Sequence, residues 1–382
     1  MRSSYQRLDW QAPTFHLPPS STPRFTRGRR NSLRARLPAR PTRQTNNSGI
    51  KSRTRLVGQV RTSYPRFRRE GDAPRIDLTE DDIAILRYVY RHRFIRADDL
   101  YRLFPGRSPD RLSRRLTLLY RSQFLDRPIS QVDRYREGGS QSLVYGLDNA
   151  GARYLKERAG MPIGPSDWRA RNRSFTRESL EHTLAVAHYL VNLEVSCRER
   201  GDVAVIPFET ILAGAPDETR CSRNPMSWPV PVQWSSGRAE INIVPDAIFG
   251  LCVQRQNEKP MRSYIFLEVD RGTMTITPAE SARDSEAFLY RTTVLRKLLS
   301  YAESWRQGLH KLQFNIPAVR VLTLTTSAAR AKAMRRVAQE IVVRPLRLPA
   351  GLFLFGVMER SGNPFEAVLQ DSTGLTVHML GN

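Results

Sequence analysis

Acidic side chains at the ends of two neighbouring apolar segments are the residues of this chain best suited to chemistry. Val244-Pro245-Asp246 opens one predicted strand, and Glu268-Val269-Asp270 closes the next. Because side chains alternate along a strand, Glu268 and Asp270 should lie on one face, and strand pairing would bring Asp246 beside them. Clustered carboxylates are costly without a cation, and their oxygens suit Mg²⁺. The expected metal ligands are Asp246, Glu268 and Asp270.

The elements predicted around these acids alternate between helices and strands. From residue 176 onward, the apolar periodicity gives the order α-β-β-β-α-β-α-β, with a Pro/Ser/Gly-rich insertion that ends near residue 237. Apolar runs such as residues 264–267 are typical of strands covered on both faces, which predicts a mixed α/β (α+β) domain. The predicted helices cover residues 176–198, 284–306 and 328–342, and the predicted strands cover residues 203–208, 241–251, 263–270, 320–325 and 352–357.

Three short helices are predicted upstream, in residues 76–160. Thr79 and Asp82 form a capping box that begins the first helix, and the second covers residues 97–104. The third helix begins at Pro109, and its apolar stripe is made of Leu112, Leu116 and Leu119.

A β-hairpin should follow these helices, with strands at residues 128–132 and 143–147 and a polar tip at residues 138–140. Three helices and a two-stranded wing form a winged helix-turn-helix, a DNA-binding module whose third helix lies in the major groove. The alternative is a small packing domain with a solvated charged face. The predicted DNA contacts are Arg111, Ser113, Arg114, Arg115, Thr117 and Arg121 on the third helix and Arg134 and Arg136 on the wing.

The chain of 382 residues carries a formal charge of +24, which predicts a polyanionic partner such as nucleic acid. Residues 1–75 hold 18 Lys and Arg against 3 Asp and Glu, without apolar periodicity, and are predicted to be disordered. A nonspecific DNA-binding arm, an organellar transit peptide and a misplaced start codon are the alternatives for this segment. The predicted domains are a basic tail at 1–75, the winged helix at 76–160, a linker at 161–174 and the α/β domain at 175–382.

Cysteine usage and hydropathy exclude two further classes of protein. Cys197, Cys221 and Cys252 form no CxxC pair, so neither a zinc cluster nor a disulfide framework is predicted, and a reducing setting is expected. Apolar stretches such as residues 351–358 are far shorter than the ~18 residues that a membrane span requires. We therefore expect a cytoplasmic bacterial protein without a membrane partner.

The acid pattern resembles that of the PD-(D/E)xK nuclease superfamily, whose restriction-endonuclease-like αβββαβ core places Pro-Asp on the second strand and acid-x-Lys on the third. Asp246 and Glu268 match this motif, but its lysine would fall at residue 270, where this chain has Asp270. Related cores supply the ammonium from the following helix, and by this resemblance Lys297 takes that role. Lysine is scarce here, with six in the chain, which adds weight to Lys297.

A longer set of segments is similar to the plasmid replication-relaxation family, over residues 77–342. The segments are residues 86–94 (LRYVYRHRF), 180–184 (LEHTL), 245–246 (PD), 266–273 (FLEVDRGT) and Lys297 with Tyr301. Some members resemble mobilisation relaxases, which nick plasmid DNA at a transfer origin. The resemblance implies a Mg²⁺-dependent centre of Asp246, Glu268 and Lys297 acting on double-stranded DNA at a plasmid origin or transfer origin.

Several roles stay open at this point. Asp270 is either a third metal ligand or a partner of Arg271 that shapes the turn at Gly272. Glu181 or His182 is the contribution expected from the leading helix, although a lone histidine near an apolar helix face is more often a hydrogen-bonded core residue. Nothing in the sequence raises Tyr290 or Tyr301 above ordinary packing tyrosines.

Three functions fit the sequence. The first is a plasmid or mobile-element DNA-binding protein that nicks DNA with the help of a metal. The second is a non-catalytic DNA-binding regulator of plasmid replication or transcription, in which Asp270 marks a degenerate nuclease core. The third is a winged-helix transcription factor whose second domain senses a ligand. A nucleotide-driven motor is not supported, because no phosphate-cradling Gly-rich loop is evident.

Overall fold

A computed structural model describes residues 66–69, 72–132, 142–234, 237–255, 258–283, 286–359 and 362–380. These described residues all fall in one compact unit. Most of the predicted basic tail, the predicted wing tip at 138–140 and the wing residues Arg134 and Arg136 lie outside the described residues. In the described part, no helix is long and apolar enough to cross a membrane.

The N-terminal module, residues 72–173, consists of short helices around a three-stranded sheet. Its third helix buries Leu112, Leu116 and Leu119, and the first helix begins with the predicted capping box at Thr79 and Asp82. The order α-β-α-α-β-β is that of a winged helix-turn-helix. The elements are α1 (Glu80–His92), β1 (Phe94–Arg96), α2 (Ala97–Leu103), α3 (Pro109–Arg121), β2 (Leu125–Asp126), β3 (Val144–Leu147), α4 (Asn149–Glu157) and α5 (Trp168–Arg173).

The first wing strand differs from its prediction at residues 128–132. The strand is β2, which pairs with β3, and a 3₁₀ turn at Ile129–Gln131 follows it. The Gln131 side chain replaces the missing strand, because its amide donates to the carbonyl of Val144 at 2.9 Å and accepts from the amide of Val144 at 2.8 Å. Hydrophobic periodicity cannot distinguish a segment that pairs with a strand through one side chain from a segment that pairs through its backbone.

The flanks of this module are also more ordered than expected. The predicted linker at 161–174 contains α5, whose Trp168 packs into the core of the module. Arg69, placed in the tail by composition, donates to the carbonyl of Tyr120 at 2.7 Å and to the carboxylate of Asp148 at 2.6 Å. In a sequence, polar side chains that bind buried backbone groups cannot be distinguished from those of a solvated linker. This is the physical reason why the structure of the linker segment and of Arg69 was not predicted.

The C-terminal module, residues 177–380, is a seven-stranded sheet between helices. Strands β4 (Val203–Ile206), β7 (Ala247–Val253) and β8 (Met261–Val269) are antiparallel neighbours, while β8, β9 (Arg320–Thr325) and β10 (Phe353–Val357) run parallel. With the elements between β4 and β7 set aside, α6 (Arg177–Arg200), these first three strands, α10 (Val294–Arg306) and β9 follow the αβββαβ order that the resemblance implied. Its helices are α6 (Arg177–Arg200), α7 (Phe208–Ala213), α8 (Asp217–Cys221), α9 (Glu280–Arg283), α10 (Val294–Arg306), α11 (Leu309–Phe314) and α12 (Ala328–Val337). Its strands are β4 (Val203–Ile206), β5 (Trp228–Trp234), β6 (Gly237–Ile243), β7 (Ala247–Val253), β8 (Met261–Val269), β9 (Arg320–Thr325), β10 (Phe353–Val357), β11 (Leu369–Asp371) and β12 (Thr376–Val377).

The region predicted as an irregular insertion is folded, and the strand predicted at 241–251 is two strands. Strands β5 and β6 form a separate antiparallel hairpin, and Val244-Pro245-Asp246 separates β6 from β7 in the main sheet. Pro229 and Pro231 obscure the strand pattern of β5, although prolines are tolerated in a strand whose ladder has a free edge. The predicted helices at 284–306 and 328–342 are shorter, since α10 begins at Val294 and α12 gives way to a π-helix at Ala338–Val343.

Apolar residues on the two faces of the main sheet form two separate cores. Phe249 and Leu267 pack with Leu193 of α6 on one face. Phe266 packs with Leu298 of α10 and with the β5–β6 hairpin on the other. This three-layer arrangement explains the continuous apolar runs in the strands and fixes α10 over the end of β8.

Close packing at Gly151 gives a first prediction. A Cβ added to this residue of α4 would lie 2.3 Å from the carbonyl oxygen of Phe124, which is fixed backbone. Helix propensity alone favours alanine over glycine by about 1 kcal/mol. We expect the clash to outweigh this, so that Gly151→Ala destabilises the protein by about 1–3 kcal/mol. Thermal unfolding measures the change, with Gly164→Ala as the control because its Cβ would meet nothing within 4 Å. A higher Tm for Gly151→Ala would contradict the close approach.

Candidate active site

Asp246 and Glu268 face each other at one end of the β7–β8 pair. Ala247 pairs with Leu267, so the next antiparallel position places Asp246 opposite Glu268. The amide of Asp246 donates to the carbonyl of Leu267 at 3.0 Å, and the amide of Val269 donates to Asp246 Oδ2 at 2.8 Å. The backbone therefore holds the Asp246 carboxylate beside Glu268.

Helix α10 supplies two hydrogen-bond donors to Glu268. Lys297 Nζ donates to Glu268 Oε2 at 2.5 Å, and the Tyr301 hydroxyl donates to Glu268 Oε1 at 2.5 Å. Lys297 and Tyr301 are four residues apart, which places them on one face of the helix. Glu268 is 6% exposed, whereas the Lys297 side chain is 37% exposed. The carboxylate is thus buried under α10 with its ammonium partner open to solvent on one side.

The leading helix α6 supplies a histidine to the same site. His182 Nε2 lies 2.9 Å from Asp246 Oδ1. Glu181, the alternative from this helix, instead forms an ion pair with Arg96 in the N-terminal module, at 3.6 Å. Of the two residues that the sequence left open, His182 is the one that contacts the acid pair.

The charges in this cluster shift one another's proton affinities. Burial raises the pKa of Glu268, and the nearby Asp246 carboxylate raises it further against the opposing effect of Lys297. Burial lowers the pKa of Lys297, but Glu268 and Asp246 outweigh burial and the net pKa is raised. The hydrogen bond to Asp246 raises the pKa of His182. All three shifts favour bound protons, which is the response of a site with an excess of negative charge.

Asp270 has a different set of partners from the acid pair. Arg330 of α12 binds both of its carboxylate oxygens, at 2.5 and 2.9 Å, and the Thr325 hydroxyl donates to it at 2.6 Å. Burial works to raise the pKa of Asp270, but the Arg330 and Thr325 hydrogen bonds lower it overall. Arg271, the partner considered from the sequence, donates instead to the carbonyl of Glu178. Asp270 therefore forms a bidentate ion pair with Arg330. Sequence spacing could not predict this partner.

A cavity of about 180 Å³ borders Glu268 of the acid pair, between β6 and α10. Glu268, Lys297 and Tyr301 form one wall, and Asn242, Val244 and Arg296 lie among its other lining residues. Within the described ranges, no group of three or more His, Cys, Asp or Glu side chains is arranged to hold a metal ion. A metal at this place would therefore have two carboxylate ligands, Asp246 and Glu268, rather than the three expected.

The predicted DNA-binding residues of α3 divide into exposed and engaged side chains. Arg111, Ser113 and Arg114 are exposed. Arg115 donates to the buried carboxylate of Asp82 at 2.6 and 2.5 Å, and Thr117 accepts from Arg127 at 3.1 Å. Arg121 is half-buried. The structure therefore leaves Arg111, Ser113 and Arg114, in the first two turns of α3, open for contact, while Arg115 joins α3 to α1.

The fold and the acid-lysine cluster define a two-module protein, with a winged-helix arrangement of elements followed by a mixed α/β core that carries two facing carboxylates and a lysine. The family model of replication-relaxation proteins matches residues 86–319, which is more than half of the chain. The chain belongs to the replication-relaxation family. This membership links the protein to replication-related functions of plasmids and mobile elements. No curated protein and no solved structure shows significant similarity to the chain.

The Glu268–Lys297 contact gives a prediction about stability. Lys297→Met leaves the buried Glu268 beside Asp246 without its cation, so we expect a loss of about 2 kcal/mol, less than the ~3–5 kcal/mol for a wholly buried pair. This loss should lower the Tm by roughly 4–8 °C. Glu268→Gln in the same chain should recover most of it, because the buried charge is removed.

Thermal unfolding of the parent, both single variants and the double variant measures this coupling. Lys311→Met, at an exposed position of α11, is the matched control and should unfold like the parent. Additive losses in the double variant would show that the two side chains do not interact energetically.

Proposed function

We propose that this protein is a metal-dependent DNA-nicking enzyme that acts on double-stranded DNA of a plasmid or mobile element. The observation that carries the proposal is the placement of Asp246 opposite Glu268 with Lys297 Nζ 2.5 Å from the Glu268 carboxylate. Two acids at the ends of adjacent strands can hold a metal ion, and an ammonium from the neighbouring helix can stabilise charge on a phosphodiester.

The residues present fit a magnesium ion. Asp246 and Glu268 face each other, Lys297 pairs with Glu268, and His182 contacts Asp246. Burial raises the pKa of Glu268 and the Asp246 carboxylate raises it further, so a cation beside the pair would be favourable. Mg²⁺ binds one or two protein carboxylates and keeps waters for a phosphate substrate, which matches Asp246 and Glu268 with a cavity beside them. When bound, the ion would supply Lewis acidity and a water of lowered pKa.

The protein's own side chains have separate tasks in this proposal. Lys297 stabilises negative charge on the phosphate oxygens in the transition state, since its ammonium is partly exposed beside Glu268. Tyr301 holds the Glu268 carboxylate in place as a hydrogen-bond donor, and burial raises the pKa of its own hydroxyl far above the usual value. A tyrosine held protonated and buried is suited to positioning rather than to nucleophilic attack.

The N-terminal module would bring the DNA to this centre. Arg111, Ser113 and Arg114 form an exposed polar surface on α3, the helix that lies in the major groove in winged-helix proteins. Contacts such as Arg102 Nη1 to Asn192 Oδ1, at 2.6 Å, attach this module to α6. DNA bound by α3 would therefore be held by the same compact unit as the acid pair.

A non-catalytic regulator of plasmid replication is the second candidate. Glu268 is almost fully buried and both of its oxygens accept hydrogen bonds, while Asp270 replaces the motif lysine. In this version Lys297 neutralises a structural carboxylate, and the α/β module serves DNA or partner binding.

A nicking assay separates the two candidates. Supercoiled plasmid carrying the cognate locus should become open circles with the parent protein and Mg²⁺, and EDTA should prevent this. Asp246→Asn, Glu268→Gln and Lys297→Met should each lower the rate by about 100-fold or more, since each removes a metal ligand or a transition-state contact.

Glu240→Gln and Lys311→Met, both at exposed positions, are matched controls that should nick like the parent. Equal nicking by all variants would point to a contaminating nuclease. Retained DNA binding without nicking by the parent would favour the regulator.

DNA binding by α3 is tested by its salt dependence. We expect Arg111→Gln with Arg114→Gln to weaken duplex binding and to reduce the slope of log K against log[salt] by about 1.8, which is ~0.9 for each phosphate contact. Arg153→Gln, exposed on α4 of the same module, is the control. Fluorescence anisotropy with a labelled duplex measures both quantities, and an unchanged slope would exclude these arginines as phosphate contacts.

A further inference from the structure

The cavity beside the acid pair contains a cation that the proposed chemistry does not use. Arg296 lines this cavity next to Lys297. Its guanidinium forms no hydrogen bond or ion pair with any side chain or carbonyl in the described ranges, although its backbone amide donates to Thr293 Oγ1. Lys297, in contrast, is already paired with Glu268. Arg296 is thus the cationic group in the cavity whose charge is free to meet a ligand.

Burial makes this lack of a partner significant. Arg296 is half-buried, and burial lowers the pKa of its guanidinium. Two other half-buried arginines are paired, since Arg330 binds Asp270 and Arg115 binds Asp82. Arg93 also lacks a hydrogen-bond partner, but its guanidinium lies over the rings of Phe94, Trp168 and Phe175. A guanidinium that has lost part of its hydration without gaining a partner is poised to bind an anion, and its planar fork suits two phosphate oxygens.

The size and lining of the cavity restrict the anion. A volume of about 180 Å³ is below the range of about 300–1,000 Å³ in which cofactors and drug-sized ligands bind. Asn242 and Thr292 offer neutral hydrogen-bond donors, and Val244, which is 49% exposed, offers an apolar surface. These groups fit one phosphate with part of a sugar.

We propose that this cavity binds a backbone phosphate of the DNA strand, adjacent to the phosphodiester held at Asp246 and Glu268, with the Arg296 guanidinium as its ligand. The inference rests on the proposed nicking function and adds a substrate subsite to it. Tyr290, two residues before the lining residue Thr292 in the sequence, is 70% exposed, and an exposed ring can stack on a base.

This subsite would act through the position of the strand. A phosphate fixed by Arg296 restricts the adjacent phosphodiester to the acid pair, since consecutive phosphates are joined by one sugar. Arg296 touches a part of the substrate that does not react, so its contact is made equally in the ground state and the transition state. Loss of the contact should therefore raise KM and leave kcat nearly unchanged.

Binding of a short oligonucleotide without metal tests the proposal directly. The probe is fluorescein-labelled tetrathymidylate in EDTA at low salt, because four nucleotides of single strand cannot engage α3 as a duplex would. Arg296→Gln should weaken its binding by about tenfold, as expected for one charge-assisted contact. The control Arg223→Gln, at an exposed position, should bind like the parent.

A second variant makes the result independent of the nicking function. Asp246→Asn removes a negative charge near the cavity, so it should bind tetrathymidylate more tightly than the parent does, although it should not nick DNA. If Arg296→Gln binds the probe like the parent, or the parent does not bind it, the phosphate subsite is wrong whether or not the parent nicks. If the parent fails to nick but Arg296→Gln loses probe binding, the subsite stands and the nicking function fails.

Inorganic phosphate distinguishes a backbone site from a site for a free anion. It should compete with tetrathymidylate at least tenfold more weakly than unlabelled oligonucleotide does, because it lacks the sugar and base contacts. Equal competition would overturn the assignment to the DNA backbone. A Tm of Arg296→Gln equal to that of the parent shows that any loss of binding is not due to unfolding.

Discussion

The burial of one carboxylate beside another is the constraint on which this structure depends. Glu268 lies in the interior of the main sheet and faces Asp246 across the β7–β8 pair. Two negative charges that are removed from solvent and face each other are unfavourable unless a cation lies nearby. Lys297 can do so only if α10 packs with Leu298 against Phe266, so the position of the ammonium is set by the apolar core. The charge cluster and the three-layer packing therefore depend on each other.

Two acids on the same face of β8 acquire different roles because different cations reach them. Arg330 binds Asp270 through two parallel contacts, a geometry that fixes the carboxylate and lowers its pKa against the effect of burial. Lys297 is a compact point charge on a flexible stem, so it can leave Glu268 for a phosphate oxygen more readily than a bidentate arginine can. The pair that contains lysine is for this reason the better candidate for chemistry, and the pair that contains arginine is the better candidate for structure.

The sequence predicted the parts of this arrangement that follow from local periodicity and missed those that depend on side chains meeting at a distance. Alternation along β8 placed Glu268 correctly, and the capping box located the start of α1. The sequence could not predict that Arg330, 60 residues beyond Asp270, would form an ion pair with that carboxylate. It also could not predict that the Gln131 side chain would bind β3 in place of a strand. The β5–β6 hairpin was missed because Pro229 and Pro231 interrupt the pattern that its buried neighbours Trp228 and Val230 follow. Each miss is a case in which tertiary contact decided the local structure.

Helix α6 packs against both modules, and this gives the N-terminal module and the acid pair a physical connection. His182, near its start, contacts Asp246, while His188 Nδ1 lies 2.8 Å from Asp99 Oδ1 in α2. Six residues separate the two histidines, which is about 9 Å along the helix axis. Asp99 is buried and also lies 3.7 Å from Arg102. The contact between His188 and Asp99 of α2 is therefore held in place by its surroundings. A displacement of α2 must either break the Asp99–His188 contact or move α6, and movement of α6 changes the position of His182 relative to Asp246. The N-terminal module and the acid pair are therefore joined by one helix.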